Sequence, residues 1–137
     1  MKNLRQSVLD GVPSNLPALI RAVKLQQRAA GVGFDWAELP PVLAKIREEL
    51  AELEMEITAR APAERTLDEL GDVLFAVANL ARKLELDPEQ ALHGTNRKFQ
   101  RRFGAVEQQL AKQGKRPQDT TLKEMDVIWE QAKHDES

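Results

Sequence analysis

The sequence is poor in the side chains that build many familiar protein sites. It has no cysteine, which excludes disulfides, thiolate zinc sites and cysteine nucleophiles. It has no tyrosine, and only 4% of its residues are aromatic. No apolar run approaches the roughly 20 residues that span a bilayer, and the N-terminus lacks a signal-peptide core. The sequence therefore predicts a cytoplasmic protein without a membrane partner.

The residues that are abundant are those of helices. Ala, Leu, Glu, Gln, Lys and Arg dominate the chain, and no segment alternates apolar and polar residues as a strand does. With 137 residues, 42% of them apolar, the chain is long enough for one globular core. Its formal net charge of −2 gives no reason to expect stable nucleic-acid binding. We expect a leader over residues 1–15 and a single domain over residues 16–137.

Apolar periodicity and capping signals predict five helices joined by short loops, which is an all-α bundle. Asn15 is the expected cap of the first helix, with Pro17 in its first turn. Thr66 with Glu69 forms the capping box expected for the third helix. The helices are expected to begin near Leu16, Pro40, Thr66, Asp87-Pro88 and Thr121.

Two acidic motifs stand out because they match each other. Residues 49–53 read ELAEL and residues 69–73 read ELGDV, so each places two acidic residues three positions apart on one helical face. In an antiparallel helical hairpin, facing residues have residue numbers with a constant sum. The pairs Glu49 with Asp72 and Glu52 with Glu69 both sum to 121, which places the turn beside Pro62. The four carboxylates are therefore predicted to converge.

A cluster of carboxylate oxygens suits a hard cation, above all Mg²⁺ or Mn²⁺. The two histidines, His93 and His134, lie outside both motifs, which argues against a di-iron site. Magnesium in a helical bundle favours a phosphate substrate. The alternative is an ordinary solvated face, in which Glu49 pairs with Lys45 and Glu69 only completes the capping box.

A basic segment supplies the opposite charge. Residues 96–103 read NRKFQRRF and place Lys98 and Arg102 on one helical face, which suits phosphate oxygens. A solvated face or a weak nucleic-acid contact is the alternative. Trp129 on the last helix is either a core residue or a platform that stacks a base.

The combination of these motifs resembles a known family. E-E-x-x-E at 48–52 followed by E-x-x-D at 69–72 is similar to the signature of the all-α nucleoside triphosphate pyrophosphohydrolases of the MazG type. Segments 16–36, 68–84, 96–103 and 125–133 extend the resemblance over nearly the whole chain. The leader resembles the segment before the second, catalytic domain of tandem MazG proteins.

The resemblance implies a role for eight residues. It implies that Mg²⁺, or Mn²⁺ in its place, is coordinated by Glu49, Glu52, Glu69 and Asp72. Among these ligands, our own choice for the carboxylate that also orients the attacking water is Glu52. Substrate contacts are implied for Asn96, Lys98, Arg102 and Trp129. Arg65 departs from the pattern, because some relatives have lysine just ahead of the second motif.

The implied activity is hydrolysis of (d)NTPs to (d)NMP and pyrophosphate, in nucleotide-pool housekeeping. The implied assembly is a homodimer or a dimer of dimers. Two other functions stay open at this point. One is a non-catalytic helical interaction module whose acidic face meets a basic partner, and the other is a phosphatase that releases orthophosphate.

Overall fold

The computed structural model describes residues 6–136, and all regular secondary structure within them is helical. Within residues 6–136 this confirms the predicted all-α class with five α-helices, and a 3-10 turn, Pro117–Asp119, precedes the last of them. None of the helices in the described part of the chain has the length and apolar character needed to cross a membrane. The α-helices are α1 (Ala18–Ala30), α2 (Leu39–Thr58), α3 (Ala63–Lys83), α4 (Pro88–Lys112) and α5 (Leu122–Asp135).

The chain divides into two compact units. Unit 1 runs to Glu89 and contains α1, α2 and α3, whereas unit 2 starts at Gln90 and contains nearly all of α4 and all of α5. In unit 1, α3 packs against both α2 and α1. In unit 2, α4 meets α5 through Phe99 and Trp129.

The hairpin of α2 and α3 has the predicted register. Its turn, residues 59–62, is closed by Arg60 in the left-handed region with φ 55° and by the Ala61 amide, which donates to the Glu56 carbonyl at 3.0 Å. Across the first turn, Arg65 Nη2 donates to Glu56 Oε1 at 2.6 Å. These two residue numbers also sum to 121, so the ion pair lies in the same register as the acidic motifs.

Two helix starts differ from the prediction. Helix α1 begins at Ala18, with Pro17 as its N-cap, so Asn15 lies outside the helix and caps nothing. Helix α3 begins at Ala63, and the Thr66 amide donates to the Pro62 carbonyl at 3.3 Å. The capping box at Thr66 is therefore wrong, because a proline-initiated start lies four residues upstream.

The later boundaries agree with the sequence. The Glu124 amide donates to Thr121 Oγ1 at 3.1 Å, which confirms Thr121 as the cap of α5. Helix α4 ends two residues before Gly114, as expected. It runs unbroken through Gly94 and Gly104.

The leader is fastened to α1. Arg28 Nη1 donates to the carbonyls of Val8 at 3.4 Å and Asp10 at 3.1 Å, and Arg21 Nε donates to the Pro13 carbonyl at 3.2 Å. Gly11 lies between these contacts with φ 93°, and a Cβ there would come within 3.2 Å of Arg28 Nη2. Leu4, another apolar residue of the leader, lies outside the described residues.

The buried core of the described residues is small. Val42, Ala76 and Ala78 are buried in unit 1, and Val106 and Leu110 are buried in unit 2. Many larger apolar side chains of the α2–α3 hairpin are exposed, among them Leu67 at 71%. The hairpin therefore presents an apolar surface that this single chain leaves uncovered. Its other exposed members include Leu50, Met55, Ile57, Leu70 and Leu74.

Candidate metal centre and substrate site

The hairpin brings the four predicted carboxylates together. Carboxylate oxygens of Glu49, Glu69 and Asp72 lie within 4.8 Å of one another. Glu52 lies beside them, because its carboxyl is close enough to those of Glu49 and Glu69 to share hydrogen bonds. We call these four residues the acidic centre. Two helical turns therefore deliver four carboxylates to one place, as the register predicted.

The acidic centre contains polar atoms that the described residues do not satisfy. Glu49 is only 8% exposed, and its Oε2 is buried without a hydrogen-bond partner. Glu69 Oε2 is in the same state. A buried carboxylate oxygen without a partner is costly, so such atoms are rare unless a ligand completes them. The donor set is made of oxygens alone, which is the set that hard divalent cations select.

Electrostatics within the acidic centre disfavour four negative charges. The charge of Glu49 raises the pKa of Glu52, and burial raises it further. Burial is the main cause that raises the pKa of Glu69 and of Asp72, and neighbouring carboxylates add to it. Lys45 opposes the effect on Asp72. These shifts are those of a cluster that lacks sufficient positive charge.

Lys45 partly compensates the negative charge at one edge of the acidic centre. Its Nζ lies 3.2 Å from Glu49 Oε1 and 3.4 Å from Glu48 Oε2. The expected pairing of Lys45 with Glu49 is therefore present, but it uses one oxygen of Glu49 and leaves the other without a partner. The capping role considered for Glu69 is wrong, because Thr66 lies inside α3.

The predicted substrate contacts all belong to unit 2. Arg102 Nη2 lies 3.1 Å from Glu136 Oε1, and Arg101 Nε lies 3.3 Å from Glu136 Oε2. The hydrogen bond from Arg101 and then that from Arg102 lower the pKa of Glu136. Asn96 and Lys98 are exposed on the same helix, α4. Their roles remain predictions.

Trp129 has the surroundings of a packing residue. Its ring lies 5.2 Å from that of Phe99, with planes tilted by 50°, and Phe99 stacks on Phe103 at 6.1 Å. This agrees with the core interpretation of Trp129 while leaving the ring half-buried at the edge of unit 2. Its contact with a base stays a prediction.

Unit 1 also holds a cavity that the sequence did not predict. It has a volume of about 360 Å³, and Glu49 and Asp72 of the acidic centre lie in its wall, as do Gln26 and Asn79. The one available signal was Phe34 near Trp36 in a sequence with few aromatics. We call it the aromatic cavity; its apolar wall includes Leu9, Leu25, Phe34, Trp36, Val42 and Phe75.

A comparison with known families gives a match over the helices that carry the acidic centre. Residues 40–106 match the MazG nucleotide pyrophosphohydrolase domain. Over these residues the chain is similar to MazG-type domains. The matched residues include all four carboxylates of the acidic centre together with Asn96, Lys98 and Arg102, whereas Trp129 lies beyond them.

Similarity to curated relatives extends beyond the residues matched to the family. The chain is 44% identical over 133 residues to a nucleoside triphosphate pyrophosphohydrolase of Escherichia coli, covering 96% of this chain and 51% of the relative. It is 42% identical over 118 residues to a nucleoside triphosphate pyrophosphohydrolase/pyrophosphatase MazG of Thermotoga maritima, covering 86% and 45%. An uncharacterized Bacillus subtilis protein, YabN, is 45% identical over 131 residues, covering 95% and 27%. The chain thus spans about half the length of the first two relatives.

Proposed function

We propose that this chain is a Mg²⁺-dependent nucleoside triphosphate pyrophosphohydrolase. It would cleave (d)NTPs between the α and β phosphates, releasing (d)NMP and pyrophosphate, as a cytoplasmic enzyme of nucleotide-pool housekeeping. Residues 16–137 would act as one catalytic domain. The observation that carries the proposal is the acidic centre, with partnerless buried oxygens on Glu49 and Glu69, inside a matched MazG-type domain.

The residues of the acidic centre fit a divalent cation. Glu49, Glu52, Glu69 and Asp72 would hold Mg²⁺, and Mn²⁺ would substitute because it prefers the same oxygen ligands. When bound, the ion supplies polarisation of a phosphoryl oxygen and a lowered pKa for a coordinated water. The two partnerless oxygens are the ones that gain most from this ligand.

Glu52 is the proposed proton acceptor for the attacking water. The Glu49 charge raises its pKa, which moves the carboxylate toward the range where a general base works near neutral pH. Glu52 is also less buried than Glu49, so a water has access to it. Glu49, Glu69 and Asp72 would then serve as ligands only.

The basic residues of α4 would hold the phosphates. Arg102 can grip phosphate oxygens with two N–H groups, and Lys98 adds a compact positive charge that neutralises the departing pyrophosphate. Asn96 lies on the same helix, six residues before Arg102, and would add a polar contact. Trp129 would approach the base. Arg65 has no part in this proposal, because it pairs with Glu56 at 2.6 Å.

Product analysis tests the activity. The purified protein is incubated with each of the four NTPs and four dNTPs and Mg²⁺, and the products are resolved by ion-exchange chromatography. We expect a monophosphate and pyrophosphate in equal amounts. Release of orthophosphate would instead indicate a phosphatase. No turnover of any nucleotide with Mg²⁺ or Mn²⁺ would favour an interaction module with an acidic face.

We also propose that the chain forms a homodimer, or a dimer of dimers. The exposed apolar side chains of the hairpin support this, since burying apolar surface stabilises association by about 25 cal/mol per Å². A twofold axis would cover the same surface on both copies. The chain mass is 15.4 kDa, so light scattering should give at least twice that value. A monomer mass at micromolar concentration with full activity would contradict the proposal.

A further inference from the structure

Unit 2 contains a surface pocket whose wall is made of ionisable side chains. One side chain of α4 and several at the C-terminal end of α5 line it, and its volume of about 460 Å³ falls within the range of small-molecule pockets. Its composition differs from that of the aromatic cavity, whose wall is mostly apolar. We call it the charged pocket; it is lined by Arg102, Glu130, Lys133, His134 and Glu136.

The contacts of Glu136 show how this pocket holds an oxyanion. Its Oε1 accepts hydrogen bonds from Arg102 Nε at 3.1 Å and from Arg101 Nη2 at 3.4 Å. Its Oε2 accepts one from Arg101 Nε at 3.3 Å. Two guanidinium groups therefore share one carboxylate and use both of its oxygens. Guanidinium groups bind phosphate oxygens with the same planar geometry, so the carboxylate of Glu136 marks a position that suits a phosphate group.

Lys133 adds a third positive charge to the charged pocket. It lies in the last turn of α5, and its side chain borders the same pocket as Arg102 and Glu136. The two oxygens of Glu136 are already bonded to the arginines. An anion with more terminal oxygens and more negative charge can contact both arginines and the ammonium group of Lys133 together. Pyrophosphate is an anion of this kind.

Displacement of Glu136 has a small cost and changes the charge of the wall. Glu136 is the C-cap of α5 and lies outside the helix itself. Arg101 is 60% exposed, so water screens its ion pair with Glu136. Once Glu136 has moved away, the positive charges of Arg101, Arg102 and Lys133 outnumber the negative charge of Glu130. The charged pocket then attracts a multiply charged anion.

We propose that the charged pocket binds pyrophosphate, that Lys133 is its third cation, and that Glu136 is an internal competitor that fills the pocket in the free protein. This inference rests on the proposed function, of which pyrophosphate is a product. It adds Lys133 and Glu136 to the residues that act on the β and γ phosphates. The competing role for Lys133 is to stabilise the C-terminal end of α5 through the helix dipole, which does not require an anion.

The first test measures binding in the absence of catalysis. Pyrophosphate is titrated into the full chain in EDTA at constant ionic strength, and its Kd is measured by calorimetry. We expect Lys133→Gln to raise this Kd roughly two- to fivefold and Glu136→Gln to lower it by a similar factor, the range of partly exposed charge pairs. The control is Lys123→Gln, which changes an exposed lysine near the start of the same helix and should keep the wild-type Kd.

Three results of this titration would overturn the inference. One is an unchanged Kd in Lys133→Gln; if its melting temperature falls at the same time, Lys133 acts on the helix end instead. Another is an equal rise of Kd in Lys133→Gln and Lys123→Gln, which indicates a general charge effect. The third is no binding by either wild type or Glu136→Gln. Sulfate should bind more weakly than pyrophosphate, and equal affinity would contradict a pocket for pyrophosphate.

The second test uses the catalytic assay. Pyrophosphate should inhibit in competition with the triphosphate, with an inhibition constant that rises roughly two- to fivefold in Lys133→Gln and falls in Glu136→Gln. An inhibition constant that is the same in wild type and both variants would contradict the inference. The proposed function fails separately. A protein without turnover that binds pyrophosphate through Lys133 refutes only the function, whereas turnover with unchanged pyrophosphate binding in Lys133→Gln refutes only the inference.

Discussion

The acidic centre of unit 1 and the arginines of unit 2 carry opposite charges, and they also differ in how well each is satisfied. In the acidic centre, like charges lie together and two buried oxygens have no partner. In unit 2, Arg101 is 60% exposed, and it and Arg102 already pair with Glu136. The first region leaves two buried oxygens without a donor, whereas the arginines of the second are already paired, so an anion that binds them must displace Glu136.

The difference is one of energy as well as of contacts. Converging carboxylates repel each other and destabilise the folded chain. A bound cation would remove this repulsion and so stabilise the folded state. Exposed ion pairs contribute little to stability, so Glu136 can be replaced by a phosphate at small cost. We therefore expect large responses from changes to the acidic centre and modest responses from changes around Glu136.

Removing one charge from the acidic centre should have the largest effect. We expect Glu52→Gln and Asp72→Asn each to lower kcat/KM by roughly 100-fold or more, because each loses an oxygen ligand of a centre that works as a unit. Both variants should stay folded, with an equal or higher melting temperature in EDTA, because repulsion is relieved. Glu54→Gln, on the exposed side of α2, is the control and should keep full activity. Near wild-type activity in either variant would reject the four-carboxylate site.

Mg²⁺ should stabilise the protein through the same residues. A ligand that binds only the folded state adds about 2.7 kcal/mol at 100 times its Kd, so the melting temperature should rise with Mg²⁺ concentration. In the double variant Glu49→Gln/Glu69→Gln this rise should disappear, whereas a control such as Glu54→Gln/Glu64→Gln should retain it. An equal rise in the first double variant would mean that the ion acts elsewhere on the chain.

Acidification should stabilise the metal-free protein as pH falls toward the ordinary carboxyl pKa values of 4.5 for Glu and 3.8 for Asp. The folded-state pKa values of Glu52, Glu69 and Asp72 are raised, so in this window the folded chain binds more protons than the unfolded chain. Its free energy of unfolding therefore falls as pH rises through those pKa values. Asp35 has a lowered pKa, so its contribution is lost only at more acidic pH. Urea unfolding in EDTA should show this slope in wild type and a smaller one in Glu69→Gln/Asp72→Asn.

The smallest expected effect concerns the pairing of Glu136. Glu136→Gln frees the guanidinium groups of Arg101 and Arg102 from their own carboxylate, and KM for the triphosphate should fall roughly two- to fivefold, the range of a partly exposed ion pair. The matched control is Asp135→Asn, which removes the same charge from a residue that accepts from Gln131 at 2.9 Å. A KM that changes equally in both variants would show a general charge effect instead.

The hairpin and its carboxylates could be predicted because local rules determine them. Apolar periodicity gave α2 and α3, the short turn made them antiparallel, and the acidic spacing then fixed which residues face each other. The Arg65–Glu56 pair lies in that same register. The start of α3 was missed because Pro62 and Thr66 both carry valid start signals, and sequence alone does not rank them.

The aromatic cavity could not be predicted, because its key contacts join distant residues. The Gln26 amide is oriented by the Phe75 carbonyl, 49 positions along the chain, and Arg82 reaches Asp35 over 47. Arg102 meets Glu136 across 34 positions, so its pairing was equally hidden. No periodic pattern encodes such pairs, since they depend on how packed helices bring backbone and side chains together.

The attachment of the leader to α1 has a practical consequence for handling the protein. Leu9 lies in the wall of the aromatic cavity, and its segment is tied down by Arg28 and Arg21. Trimming or extending the chain ahead of Ser7 therefore acts on a segment that forms part of the wall of the aromatic cavity. Kinetic constants from differently tagged preparations are then comparable only when the same residues precede Leu9.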